Sequence, residues 1–289
     1  MAYNSVVLVK QVPDTKAVTG KAMNDDGTVN RAALPAIFNP EDLNALEMAL
    51  QVKAKYGGTV TVVTMGLPSA CEVLRQGLYR GADKAILVTD RRAAASDTLA
   101  TSYILSCAVR KVEDVDLVFC GRQAIDGDTA QVGPQAAEKL GIPQVTYVEE
   151  LELEGRTLIA KRGVGSGWEK VKCAMPALLT VLDTANDPRP AVSREMMWFK
   201  KAKSPTEVKS VGGDDAKVEE LRERGLLIEE WDLDHLEADM QWCGKSGSPT
   251  KVNRIQSVVL TAGESRMIPA TDEGIRDLIH ELIDDHTIG

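Results

Sequence analysis

Asp126 and Asp128 flank Gly127 within CGRQAIDGDTAQVGPQAAEKLG, residues 120–141, a stretch that leaves the apolar run VDLVF and enters a helical pattern. A helix start behind a strand is a place where phosphates bind, through free amides and the positive helix end. Gly121 and Gly127 let a ligand approach the backbone closely. Arg122 offers a planar fork to a phosphate or a flavin carbonyl. Asp126 and Asp128 can accept hydrogen bonds from ribose or ribityl hydroxyls, as acids do in dinucleotide folds. On this reading the acids face hydroxyls and caps, while the amides and Arg122 face phosphates. A plainer reading stays open beside it: Asp-Gly pairs form turns, and an Asp before a helix often only caps it. A Mg²⁺ site would want carboxylates beyond these two, and the neighbourhood lacks them. Neither GxGxxG nor GxxxxGKS/T occurs, which disfavours an ordinary Rossmann hydride enzyme and a Walker ATPase.

The elements that must position these residues alternate along the first two-thirds of the chain. SVVLVKQV, TVTVVTMG, KAILVTD and VDLVFCG read as strands. NPEDLNALEMALQVKAKYG, PSACEVLRQGLYRG, SDTLATSYILSCAVRKV and GPQAAEKLG read as the helices between them. Near-continuous apolar strands in such alternation predict a doubly wound, mostly parallel α/β sheet with helices on both faces. From Thr146, TYVEELELEG, RTLIAKRGVGSG and WEKVKCAM alternate polar and apolar around glycine turns, which predicts an antiparallel extension; PALLTVLD reads as a further core strand. Ligands of an open parallel sheet sit beyond its carboxyl ends. The loops there carry Lys10 to Asp14, Met65-Gly66, Asp90 to Thr98 and Gly121 to Gln131, joined by a helix start with Asn39 as cap and Pro40 at N1. A nucleotide-binding domain over 1–187 and an arm over 188–289 that packs on a partner are the predicted division. The arm has too little strand pattern for a core of its own.

Bulk composition narrows the classes. The 289 residues are 44% apolar and 27% charged, which is ordinary for a cored protein, and a net charge of −9 argues against a nucleic-acid coat. No apolar run approaches a membrane span, and MAYNSVVLVKQV lacks an export signal, so a cytoplasmic location is the expectation. The five cysteines are scattered without a CxxC pair and the three histidines lie far from the rim loops. No metal or iron–sulfur site is expected, and buried free thiols are.

The chain resembles the small (beta) subunit of the electron-transfer flavoproteins along nearly its whole length. The resemblance is carried by VKQVPDT (9–15), NPEDLNALEMAL (39–50), VTMG (63–66), CGRQAIDGDTAQVGP (120–134) and GSPTKV (247–252). It implies an adenine-nucleotide-binding, Rossmann-like fold and a heterodimer with a larger alpha subunit that carries the electron-transferring FAD. Ordinary members hold AMP in the beta subunit; electron-bifurcating and nitrogen-fixation-type members hold a second FAD there. TDRRAAASDTLATS (89–102) resembles the second kind, with an Asp-Arg pair before Asp97, Thr98, Leu99, Ala100 and Thr101, although RRAAAS lacks the aromatic usual after the pair.

The resemblance therefore implies FAD in this chain, with AMP as the alternative. Electrons would come from NADH and pass to an acyl-CoA dehydrogenase-type or quinone-linked dehydrogenase through the alpha-subunit FAD, and to ferredoxin or flavodoxin. Oxidation of NADH would need the alpha subunit, and no residue is expected to make or break bonds. The implied cofactor contacts begin with Leu8, Lys10, Asn39, Asp42, Met65 and Gly66 on the early loops. Asp97, Thr98 and Thr101 stand at the second helix start. Gly121, Arg122, Gln123, Asp126, Gly127, Asp128, Thr129, Ala130, Gln131 and Val132 complete the set. SREMMWFKKAK (193–203) occupies the position of the family's partner-docking loop, with Met196, Met197, Trp198 and Phe199 as its apolar anchors. The insert GGDDAKVEELRERGLLIEEWD (212–232) departs from familiar members.

Overall fold

The computed structural model describes residues 1–14, 34–165, 167–250, 267–285 and 287. Strand β1 (Ser5–Leu8) is followed by a two-stranded antiparallel ribbon of β2 (Gln11–Pro13) and β3 (Ala36–Phe38). Helix α1 (Pro40–Tyr56) places Pro40 in its first turn, where a missing N–H costs nothing, carries Lys53 and Lys55 in its last turn, and ends at Gly57, whose φ is 80°. Then come β4 (Val60–Met65), α2 (Cys71–Leu78), β5 (Lys84–Val88), α3 (Thr98–Lys111), β6 (Leu117–Gly121) and α4 (Val132–Leu140). The extension is a meander of β7 (Gln144–Glu154), β8 (Thr157–Val164) and β9 (Gly167–Ala174), and β10 (Ala177–Val181) returns to the core. Beyond it lie α5 (Ser193–Phe199), α6 (Pro205–Ser210), α7 (Asp215–Glu223), β11 (Glu229–Trp231), α8 (Gly244–Gly247) and α9 (Asp272–Asp284).

Nine of these strands form one sheet in the order β11-β5-β4-β1-β6-β10-β7-β8-β9, parallel from β11 to β7 and antiparallel after it. The strands are apolar on both faces because each face feeds a separate core. Val7, Val62 and Phe119 pack with Leu46 and Leu74 on the α1/α2 side, while Val6, Val63 and Val118 pack with Ile104 and Ala136 on the α3/α4 side. After β1 the chain moves outward through β4 and β5, then crosses back to β6 on the other side of β1. The strand order therefore reverses between β1 and β6, and their carboxyl ends open a crevice there.

Three departures from the sequence reading have physical reasons. SVVLVKQV is two strands, because the Lys10 amide donates to the Asp42 carboxylate at 2.9 Å and the Lys10 carbonyl accepts from the Asn39 amide at 3.0 Å, which turns the chain out of the sheet. Asn39 precedes α1 without capping it: its side chain donates to the Gln123 carbonyl at 2.9 Å and accepts from the Ile125 amide at 3.1 Å. The segment after Asp187 also feeds the domain. β11 pairs with β5, Ala202, Val208, Leu221, Leu226 and Ile228 are buried in the α1/α2-side core, and Leu233, Leu236 and Cys243 in the other.

One face of α1 is polar and buried. Glu41, Asp42, Asn44 and Glu47 are each at most 6% exposed, and each holds a loop. Asn44 donates to the Asn186 carbonyl at 2.7 Å, and Glu47 takes Arg189 through Nε at 2.7 Å and Nη2 at 3.0 Å. Arg189→Ala leaves the Glu47 carboxylate buried without its cation, and a loss of about 1–3 kcal/mol is expected in chemical denaturation, reduced because Arg189 is partly solvated. An unchanged midpoint would mean that solvent replaces the guanidinium freely.

Candidate functional site

The crevice at the β1/β6 switch is a cleft of about 390 Å³. Leu8 and Met65 close its floor at the strand ends, Leu105 and Val132 add apolar wall from α3 and α4, and the loop from Gly121 to Gln131 forms one lip. The start of α3 forms the other, through Asp97, Thr98 and Thr101. Lys10, Asp42, Arg122, Gln123, Asp126, Gly127, Asp128, Thr129 and Ala130 also line it. Of the implied contact residues, Asn39 and Gly66 lie outside the lining: Asn39 holds the lip from behind, and the Gly66 amide donates to the Val88 carbonyl at 3.0 Å.

The lip is built on α1. Asp42 Oδ1 accepts from the Gly121 amide at 2.8 Å and Oδ2 from the Lys10 amide, so one carboxylate ties the ends of β6 and β1 together. Burial pushes its pKa up to about 7, against the lowering effect of those two amides. Glu41, which the sequence reading missed, accepts from Arg122 Nη2 at 2.7 Å and from the Gln123 amide at 3.0 Å. Arg122 is thereby held to the helix, although its charge still borders the cleft. Acids right after an N1 proline look like ordinary first-turn residues of a helix. Their inward turn was not readable.

Side chains inside the cleft pair with each other. Lys10 Nζ donates to both oxygens of Asp126, at 2.7 and 2.8 Å; Gln123 Nε2 donates to Asp128 at 3.0 Å; Thr98 Oγ1 donates to Gln131 Oε1 at 2.9 Å and so bridges the two lips. These polar groups are mostly solvated and can exchange one another for a ligand's hydroxyls and phosphates. Asp128 and Ala130 have φ of 48° and 52°, a left-handed conformation that Asp tolerates and Ala adopts only at a cost. Among the described residues no group of three His, Cys, Asp or Glu side chains could hold a metal.

Asp97 anchors the second lip. It caps α3 by accepting from the Ala100 amide at 3.0 Å, and its other oxygen accepts from the Thr250 amide at 2.9 Å. Its own amide donates to Ser248 Oγ at 2.9 Å, so the described part of GSPTKV seats on this lip; residues 251 and 252 lie outside the described residues. Burial would raise the Asp97 pKa, but the amides of Ala100 and Thr250 outweigh it and hold the carboxyl below its usual value. Asp97→Ala should cost about 1–2 kcal/mol through the lost cap, with Asp97→Asn recovering most of it. Thermal denaturation of both variants checks this, and equal losses would show that the charge, rather than the cap, matters. Asp90, Arg92 and Asp234 form a separate ion cluster that binds the loop after β5 to the segment after β11. The Arg92 guanidinium, opposed by burial and helped by the Arg92 and Leu233 amides, holds the Asp90 pKa down to about 2.

The residues expected to dock a partner divide. Met196, Met197 and Trp198 are 40%, 60% and 44% exposed, whereas Phe199 packs against the α1/α2-side core. The Trp198 ring lies 5.9 Å from the Arg224 guanidinium of the insert. Four cysteines are buried and Cys173 is partly so, all of them free. No helix among the described residues is long and apolar enough to cross a membrane.

Comparison with known proteins is consistent along the whole chain. The family described as electron transfer flavoprotein domain matches residues 26–211. An electron transfer flavoprotein subunit beta of Thermoanaerobacterium thermosaccharolyticum is 41% identical over 286 residues, covering 99% of this chain and 100% of the relative. The caffeyl-CoA reductase-Etf complex subunit CarD of Acetobacterium woodii is 40% identical, covering 98% and 99%. Protein FixA of Azorhizobium caulinodans is 39% identical, covering 96% and 92%.

Proposed function

The chain belongs to the electron transfer flavoprotein family as a beta subunit, and from that premise we propose that its cleft binds FAD and that the heterodimer splits the electrons of NADH between two routes. One electron goes through the alpha-subunit flavin to a dehydrogenase, the other to ferredoxin or flavodoxin. The observation that carries this reading is the pairing of two lips at one switch point. The 121–132 loop has the acids and amides of a nucleotide site, and the α3 start adds Thr98 and Thr101, two hydroxyls that suit the polar edge of a flavin ring.

The residues fit such a group. Leu8, Met65, Leu105 and Val132 provide apolar surface that excludes water from a ring system. Asp126 and Asp128 accept from ribose or ribityl hydroxyls, and the amides entering α4 together with Lys10 suit a pyrophosphate. Arg122, held by Glu41, keeps a positive charge at the border without moving. Bound FAD supplies hydride acceptance and one-electron transfer; the chain binds, orients and shields it. The dehydrogenase partner we infer acts on an acyl-CoA, since the name of one relative places it in a caffeyl-CoA reductase complex. Met196, Met197 and Trp198 are the docking surface for it, the alpha subunit packs against this chain, and a cytoplasmic location completes the reading.

Purification with the alpha subunit and a flavin count test this. Two flavins per heterodimer are expected. One flavin with one AMP, which is colourless, would overturn the FAD assignment and leave the cleft as an AMP site. Asp128→Ala should weaken retention of the cleft nucleotide by roughly tenfold, since it removes an acceptor and puts alanine in a left-handed conformation. Asp128→Asn, which tolerates that backbone, should lose less. Full occupancy after extensive dialysis of the alanine variant would remove Asp128 from the site.

A further inference from the structure

The insert at 212–232 has a product that the nucleotide cleft does not use. Its strand β11 extends the sheet beyond β5, and with the last turn of α3 it walls a second cavity of about 560 Å³ over the α3-side face of the sheet. The volume falls in the range of small-molecule sites. This cavity lies over the amino-terminal halves of β1, β4 and β5, away from the carboxyl-end cleft. Val6 and Ile86 form its apolar floor. Thr61 is in register with Val6 on one side and Lys84 on the other, so all three side chains point to the cavity face.

We propose that this cavity binds a small planar aromatic carrying one negative charge. The planar requirement comes from Trp231, whose ring stacks on His235 at 5.0 Å and 30°, giving one flat aromatic wall. The charge requirement comes from Lys84, which is exposed and has no ion-pair partner among the described residues, beside the Thr61 hydroxyl. Lys111 and Arg222 add positive charge at the mouth, paired with Glu237 and with Glu219 and Glu229. Asp83, which is paired with Lys53, and Glu113 and Glu229 also line the cavity and would repel a polyphosphate, which sets the limit at a single carboxylate or sulfonate.

The probe is 8-anilinonaphthalene-1-sulfonate, an aromatic monoanion with a flat naphthalene face and an emission that rises on leaving water, titrated into the cofactor-loaded heterodimer. One saturable site is expected. Lys84→Glu should weaken it by roughly tenfold, and Thr61→Val by a few-fold, with the flavin count and melting temperature unchanged. The uncharged analogue N-phenyl-1-naphthylamine should bind roughly tenfold more weakly than the sulfonate. No saturable binding, or binding indifferent to Lys84→Glu, overturns the proposal. A heterodimer that keeps its flavins but shows no dye site would sink this inference while leaving the cleft reading untouched.

Discussion

Gly121→Ala is expected to cost about 2–3 kcal/mol of stability and to empty the cleft of the nucleotide proposed for it. A β-carbon at this position would stand 2.7 Å from Asp42 Oδ1 and 2.7 Å from both the carbonyl carbon and the β-carbon of Glu41. Those atoms belong to the first turn of α1, which is fixed by its own packing, so no flexible side-chain tip can give way. Either α1 or the end of β6 must shift, and both support the lip. Gly167→Ala is the matched control, since its β-carbon would meet nothing within 4 Å, no positive φ is required, and it lies outside the cleft. Urea denaturation and the nucleotide content of the purified heterodimer check both. Equal behaviour of the two variants would show that the α1–β6 contact does not govern the cleft.

Asp42→Ala should be as damaging, at about 2–4 kcal/mol, because it leaves the Gly121 and Lys10 amides without their acceptor. The carboxyl also makes stability depend on pH. Its folded pKa of about 7 lies above the ordinary 3.8, so the folded subunit keeps a proton that the unfolded chain has released. The stabilisation is complete below about pH 4, declines as pH rises toward 7, and is gone above it. The slope in that window is at most about 1.4 kcal/mol per pH unit. Asp42→Asn should lack this component, so the difference between wild type and variant narrows from pH 4.5 to pH 7.5. A difference that stays constant would mean that the carboxylate ionises normally when folded.

The parallel strands and covering helices were legible because their periods are unmixed: continuous apolar runs for strands buried on both faces, and Leu43, Leu46, Leu50 and Ala54 at helical spacing in α1. The crevice between β1 and β6 followed from the alternation and from the rim loops. Less legible was the direction in which polar residues turn. Glu41, Asp42 and Glu47 have the composition of a solvated helix face, yet they are buried because loops from far along the chain arrive to pair with them. Asn39 looked like a cap and is a strut for the lip. The ribbon of β2 and β3 and the edge strand β11 are three residues each, too short to show a period, and their pairing depends on where distant segments come to lie. Phe199 reads as one more anchor beside Trp198, and only helix α5's seat on the core turns it inward.

The polar face of α1 has a consequence for how the subunit is made. Asp42 waits for a partner 79 residues downstream, and Glu47 for one 142 residues downstream. On a ribosome, this helix emerges long before the groups that pair with its carboxylates, so its polar face is completed only after Arg189 has been made. A nascent chain stalled before Arg189 would bear strands and helices but leave Glu47 without its cation.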